Sequence, residues 1–305
     1  MSAIRTVLGD VEPGLLGRCD SHDHLFLASP QLSGQELDDP VAAEAELRAF
    51  AAAGGRAVVQ WTPYGMGRGG AGLARLSRAT GVRLVAATGL HQAAHYDESV
   101  LRGLFTGDRL TELFVEELTA GLREPGVPAG VRAGMIKVAG GFHGLDEHAR
   151  RVMTAAAEAH HATGAPIGVH HELGTGAPDV LDLLCDRLGV PPERVLLGHL
   201  NRFPDLRLHR QAAESGAFIA LDGPSRAHHA TDHHLFDTVA ALVGAGHAGQ
   251  LLLGGDTTTR AARGAPGLPF LVGALAARIT REFGAELTER LLVANPARAF
   301  AADWL

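Results

Sequence analysis

At 305 residues, with 46% hydrophobic and 20% charged content, the chain carries enough apolar material for a sizeable core, arranged as one large barrel or two small domains. A formal charge of −7 excludes the basic footprint of a nucleic-acid binder, and no run approaches the roughly 20 apolar residues of a membrane span. The opening "MSAIRTVLGDVEPG" lacks a signal-peptide core, and two cysteines, Cys19 and Cys185, form no disulfide framework, so a cytoplasmic protein with neither nucleic-acid nor membrane partners is expected.

Short apolar runs recur along the chain. In order they are "GRCDSHDH" (17–24), "AVVQW" (57–61), "LVAATG" (84–89), "AGMIKVA" (133–139), "PIGVHH" (166–171), "VLLGHL" (195–200), "FIALDG" (218–223) and "LLLGGD" (251–256). Segments of helical spacing lie between them, such as "PVAAEAELRAFAAAG" (40–54) and "LDEHARRVMTAAAEAHHATG" (145–164). Pro40 and Pro178 suit first helical turns, while Gly54, Gly164, Gly189 and Gly216 suit helix ends. Strands alternating with helices imply βαβ units and a parallel sheet. Eight units without a linker predict a single (β/α)8 TIM barrel over 1–305. The competing open doubly wound sheet needs a glycine-rich phosphate turn, and "SHDHLFLASP" has none.

In such a barrel the chemistry projects from the C-terminal ends of the strands. Those ends here carry His22, His24, Lys137, His170, His199 and Asp256, each interrupting an apolar run just before a loop. His22 and His24 are two apart and face the same side of an extended strand. Singly, each has a structural alternative. One H-x-H arises by chance among 17 histidines, Asp256 and Thr257 suit a helix cap, and Lys137 suits a snorkelling rim position. Their conjunction on five strand ends is what points to divalent metal, with imidazole and carboxylate as the ligands.

Lys137 is the only lysine among 27 basic residues. An ammonium beside two cations is repelled and costly to bury. A neutral lysine amine, in contrast, can add carbon dioxide and become an anionic carbamate with two oxygens, which arginine cannot do. Lys137 is therefore read as a carboxylated ligand bridging two metals.

The motifs "SHDHL", "MGRG", "VAATGL", "VEELTAGL", "AGMIKVA", "TGAPIGVHH", "PPERVLLGHL", "SGAFIALDG", "LLLGGD" and "NPARAF" resemble, in order and spacing, the phosphotriesterase family of the amidohydrolase superfamily. The resemblance implies that His22, His24 and Asp256 hold a buried metal and that His170 and His199 hold an exposed one. Carboxylated Lys137 and a water-derived hydroxide bridge them. Zinc is expected, with cobalt, manganese or iron as alternatives. His170 is chosen over His171 because it follows "PIGV" as the family's ligand follows its apolar residues, and His171 would point the other way. Asp23 stands where glutamate is frequent, at a position that is not a ligand.

The implied activity is metal-assisted hydrolysis of a small-molecule lactone or ester, with phosphorylated lactones and phosphotriesters within reach. In it Asp256 orients the nucleophile and carries its proton. The loops offer His91 and Phe142 as substrate contacts, and Arg226 and Arg260 for an anionic group, although both arginines also suit plain solvated loops. A homodimer follows from the resemblance alone. The rivals are a cyclic amidase, whose lysine context fits less well, a deoxyribonuclease, which usually has a carboxylate at the lysine position, and a non-catalytic metal- or ligand-binding barrel.

Overall fold

The computed structural model describes residues 2–223 and 231–305. The chain enters through two short antiparallel strands, β1 (Ala3–Thr6) and β2 (Gly9–Val11). Eight parallel strands follow: β3 (Cys19–Asp23), β4 (Ala57–Gln60), β5 (Arg83–Gly89), β6 (Ala133–Ala139), β7 (Ile167–His170), β8 (Val195–Gly198), β9 (Phe218–Asp222) and β10 (Leu251–Gly254). Each pairs in parallel with the next in sequence, so a crossover connects every neighbouring pair. All eight fall on the expected apolar runs.

The helices begin and end for local reasons. Asp39 accepts from the amides of Val41 and Ala42 ahead of the helix Pro40–Ala52, and Asp146 accepts from the Ala149 amide ahead of Glu147–Thr163. Gly164 closes the second helix in the left-handed conformation.

Alternate strand residues divide between two cores, because both faces of the barrel sheet are covered. Val58, Ala86, Ile136, Val169 and Leu253 pack with the helices, whereas Val59, Val85, Met135, Leu196 and Leu252 fill the barrel interior around Trp61. A Cβ added at Gly168 would stand 2.5 Å from Met135 Cε and 2.7 Å from Trp61 Cη2. The missing side chain on β7 therefore makes room for the indole, which stacks on His22 with ring centroids 3.8 Å apart.

The barrel is nearly closed. No ladder joins β10 to β3, and the seam is tied beyond the strand end instead. The amide of Asp256 donates to His22 O at 2.8 Å, that of Gly255 to Asp20 Oδ1 at 3.0 Å, and that of Thr257 to Asp23 Oδ1 at 2.9 Å. A Cβ at Gly254 would fall 2.6 Å from both His22 Cβ and Asp222 Oδ1, so the close approach needs glycine there.

The sequence reading lacked the small sheet β11–β1–β2, in which β11 (Ala301–Ala302) brings the chain's far end back to its start. It lies at the N-terminal end of the barrel, where the Val7 amide donates to Leu84 O and Trp304 Nε1 donates to Ala3 O.

One buried ion-pair network braces the barrel's flank. Arg68, fully buried in the loop after β4, donates through Nη1 to Glu117 Oε2 (2.7 Å) and to Ala87 O (2.9 Å), and through Nε to Glu124 Oε1 (2.7 Å). Thr88 Oγ1 and the Arg123 amide complete the shell of Glu117.

Candidate metal centre

The barrel register brings the expected residues to one mouth. Lys137 on β6 is opposite Gly89 on β5 and Gly168 on β7, and His170 on β7 is opposite Gly198 on β8. His24, His199 and Asp256 lie one or two residues past their strands. His199 and Asp256 have φ of 67° and 50°, a left-handed backbone that non-glycine residues adopt at a cost. Among the described residues the other two non-glycine cases, His143 and Leu173, lie on the loops of the same mouth. This concentration of strain is typical of functional sites.

Asp256 is the hub. Its Oδ1 is 3.7 Å from His22 Nε2 and 3.6 Å from His24 Nε2, and its Oδ2 is 3.6 Å from His199 Nδ1. One ligand atom each from His22, His199 and Asp256 lies within 4.8 Å of the other two. These separations are too long for hydrogen bonds and suit groups arranged around a shared ion.

The surrounding contacts decide which imidazole nitrogen faces that centre. Thr62 spends its hydroxyl proton on Phe26 O (2.7 Å), so His24 Nδ1, 2.7 Å from Thr62 Oγ1, must donate. The buried Asp222 carboxylate accepts from His22 Nδ1 at 3.0 Å. Both rings are thereby left with their Nε2 lone pairs toward Asp256, the orientation that outer carboxylates and hydroxyls impose on metal-binding histidines. Burial, countered in part by Asp256, lowers the His24 pKa to about 4, so its lone pair is available at neutral pH.

Asp222 does more than hold His22. Its Oδ2 also accepts from the His199 amide at 2.9 Å and lies 3.2 Å from His199 Nδ1. Burial pushes this carboxyl upward, but His22 and His199 outweigh burial and hold it well below the usual carboxylate range. The sequence reading passed over Asp222. Placed directly before Gly223 at the end of "FIALDG", it reads in the sequence as an ordinary turn residue.

Lys137 is buried, and burial lowers its ammonium pKa to about 7 against the opposing pull of Asp256 and Glu172. His170 Nε2 lies 3.1 Å from Glu172 Oε2. Burial keeps that imidazole neutral, and the hydrogen bond it donates holds Glu172 low. His170 thus keeps its lone pair on Nδ1. Lys137 and His170 border the same cavity, of about 290 Å³, outside the compact His22–His199–Asp256 triad. With the imidazoles of His24 and His170 held neutral, a central carboxylate and an amine poised to lose its proton, the donor set fits divalent metal.

The substrate-contact residues fare differently. His91 lines the cavity. Phe142 is 62% exposed on the rim, where it packs against His143. Arg260 is not in the mouth: its amide donates to Gln35 O and its guanidinium is 3.4 Å from Asp38, which turns it out to solvent. Arg226 lies outside the described residues. The cation the structure does place in the mouth is Arg202, buried after β8, with Nη2 3.4 Å from Asp256 Oδ2 and Nη1 4.0 Å from Asp232.

His171 is fully buried and also reaches the cavity. Its Nδ1 donates to Gly198 O at 3.2 Å, and its Nε2 has no partner among the described residues. The two adjacent histidines can be separated by mutation. His170→Ala is expected to lose one metal equivalent and most activity, whereas His171→Ala keeps full metal content. Elemental analysis of both variants checks this, and the reverse pattern would assign the ligand to His171.

Comparison with known proteins places the chain in a family. Residues 2–300 match the Phosphotriesterase family. A phospho-furanose lactonase of Mycoplasmopsis agalactiae is 32% identical over 248 residues, covering 77% of this chain and 70% of its own. The crystal structure of a lactonase from Listeria monocytogenes superposes with a TM-score of 0.89 at 28% identity, covering 98% of each chain. A variant organophosphorus hydrolase from Deinococcus radiodurans gives 0.87 at 28% identity, covering 97% of each. The family match over nearly the whole chain, together with the eight-stranded barrel shared with these structures, shows that the chain belongs to the phosphotriesterase family.

Proposed function

We propose that this protein is a binuclear metal-dependent hydrolase of lactones or carboxylic esters. The observation that carries the reading is Asp256 facing His22, His24 and His199, two of them with tautomers fixed so that lone pairs point inward. The lactonase names of its relatives support the substrate class. Two divalent ions held there would acidify a shared water and polarise the scissile carbonyl.

The chain's own residues supply the rest. Asp222 and Thr62 hold the imidazoles so that little reorganisation accompanies binding. Asp256 offers a carboxylate oxygen to orient the attacking water and take up its proton. Lys137, as a carbamate, would add a two-oxygen ligand to the donor set lining the cavity. Leu27, Leu32, Pro63, Met66 and Leu173 form apolar walls on which the carbon skeleton of a ring can be buried.

Zinc- or cobalt-loaded protein is expected to carry about two ions per chain, as two-metal hydrolases do, and to turn over members of a panel of γ- and δ-lactones and simple esters. The panel includes a phosphorylated lactone, a cyclic amide and a phosphotriester. Turnover of the cyclic amide alone would favour the amidase reading, and no turnover at full occupancy would favour a binding barrel. One ion per chain with all ligands ordered would reject the binuclear centre. The phosphorylated member tests the anionic-group idea, which now depends on Arg202 and Arg226 because Arg260 faces away.

A further inference from the structure

His91 follows β5 and borders the cavity beside Lys137 and His170. Its backbone is held on both sides. The amide donates to Tyr96 Oη at 2.8 Å, and the carbonyl accepts from His148 Nε2 at 2.7 Å. Tyr96 is itself anchored, its hydroxyl donating to Tyr64 O at 3.0 Å.

The ring is fixed as well. The backbone N–H of Gln92 donates to His91 Nδ1 at 2.7 Å. An amide nitrogen can only donate, so Nδ1 must carry a lone pair and the ring's one proton must be on Nε2. An imidazolium would break this contact, because both of its nitrogens donate. The rings of His95 and His170, with centroids 4.5 and 4.7 Å away, leave the imidazole little room to turn. His95 cannot compete for the same contact, since its Nδ1 is engaged by Ser29 Oγ at 2.7 Å.

Among the described residues His91 Nε2 makes no hydrogen bond, whereas the amide, carbonyl and Nδ1 of this residue are all engaged. A buried histidine serving only the fold would pair that N–H with a carbonyl. His160, for example, is tied to Ala165 O and His209 to Leu200 O. The cavity is the remaining direction.

We propose that His91 is a catalytic residue acting as a neutral donor: its Nε2–H hydrogen-bonds the substrate oxygen that gains negative charge as the acyl carbon is attacked. The proton stays on Nε2 throughout, so the role is electrostatic and no transfer occurs. A pre-oriented donor aimed at developing charge in a dry site is an effective device, and a neutral imidazole can supply it. Neutrality also suits the place, since an imidazolium would be repelled by any divalent cation held beside it. The assignment rests on the hydrolase reading above.

Two measurements on the zinc-loaded protein test it. With any lactone that the wild type hydrolyses, His91→Phe should lose roughly 10²-fold or more in kcat while KM and metal content stay near wild type. His91→Gln, which keeps an N–H donor, should recover a substantial part of the loss. The second measurement needs no turnover, so it separates failure of this idea from failure of the hydrolase reading. In 15N-histidine NMR, with His91 assigned by its absence in His91→Gln, the ring should be the Nε2–H tautomer. Its proton should move downfield when a γ-lactam is added to saturation. An Nδ1–H tautomer, a proton unmoved by saturating lactam, or wild-type kcat in His91→Phe overturns the proposal.

Discussion

Lys137→Arg is expected to collapse metal occupancy and to lower kcat/KM by at least roughly 10³-fold, the scale of losing several kcal/mol of Lewis-acid stabilisation. The change keeps the formal charge, which makes it informative. Lys137 is buried with its pKa lowered to about 7, so a large share of the amine is neutral and able to take up carbon dioxide near neutral pH. A guanidinium cannot lose its proton there or form a carbamate, and it would place a fixed cation where the neighbouring lone pairs need an ion. Lys137→Ala leaves a gap of carboxylate size, so added formate or acetate should restore part of the metal binding and turnover. Carbon-13 carbonate supplied to wild-type apoprotein with zinc should give a carbamate resonance that the arginine variant lacks. Two ions and normal activity in Lys137→Arg, or an unmodified amine in fully loaded protein, would reject the carbamate.

The largest effect on stability is expected at Glu117. This carboxylate and Arg68 are both fully buried, and Glu117 also accepts from Thr88 Oγ1 on the strand next to Lys137. Glu117→Ala leaves the guanidinium enclosed with only Glu124 and a carbonyl. Removing one partner of such a pair costs about 3–5 kcal/mol, which for a domain of ordinary stability is a large share of the total. Urea unfolding of the metal-loaded protein at fixed zinc concentration measures it. The double variant Arg68→Met/Glu117→Leu should regain part of the loss, because the penalty comes from the stranded charge rather than from a large net gain of the pair. A loss below about 1 kcal/mol in Glu117→Ala would show that water or Glu124 compensates, placing the pair in the range of exposed bridges.

The barrel was legible because its strands are buried on both faces and most of them leave short, predominantly apolar runs; "AGMIKVA" coincides with β6 from first residue to last. The polar residues were conspicuous for the same reason, since His22, Lys137 and Asp256 break runs that should contain nothing polar. Other features left no such trace. The three strands of the small sheet are two to four residues long and pair across opposite ends of the chain, below any periodic signal. Asp222 before Gly223 reads as an ordinary turn. Whether a loop arginine enters the mouth depends on backbone course: a 3-10 turn and the bond to Gln35 O carry Arg260 outward, while the loop after β8 folds Arg202 inward. The partner of His91 Nδ1 is an adjacent amide, and its geometry exists only once the loop is built.

The seam between β10 and β3 makes assembly of this site a matter of timing. His22 accepts the Asp256 amide through its backbone while its ring faces the Asp256 carboxylate, so the bond that shuts the barrel and the pair that frames the ligand pocket belong to the same two residues. During synthesis the chain therefore cannot gather its central carboxylate until the eighth strand has left the ribosome, although five of the six candidate ligands emerge earlier. A chain that ended before β10 would carry its histidines without the carboxylate that faces them in the finished barrel. A divalent ion met before that point would find imidazoles alone, and the last unit to arrive supplies the carboxylate that gathers them into one donor set.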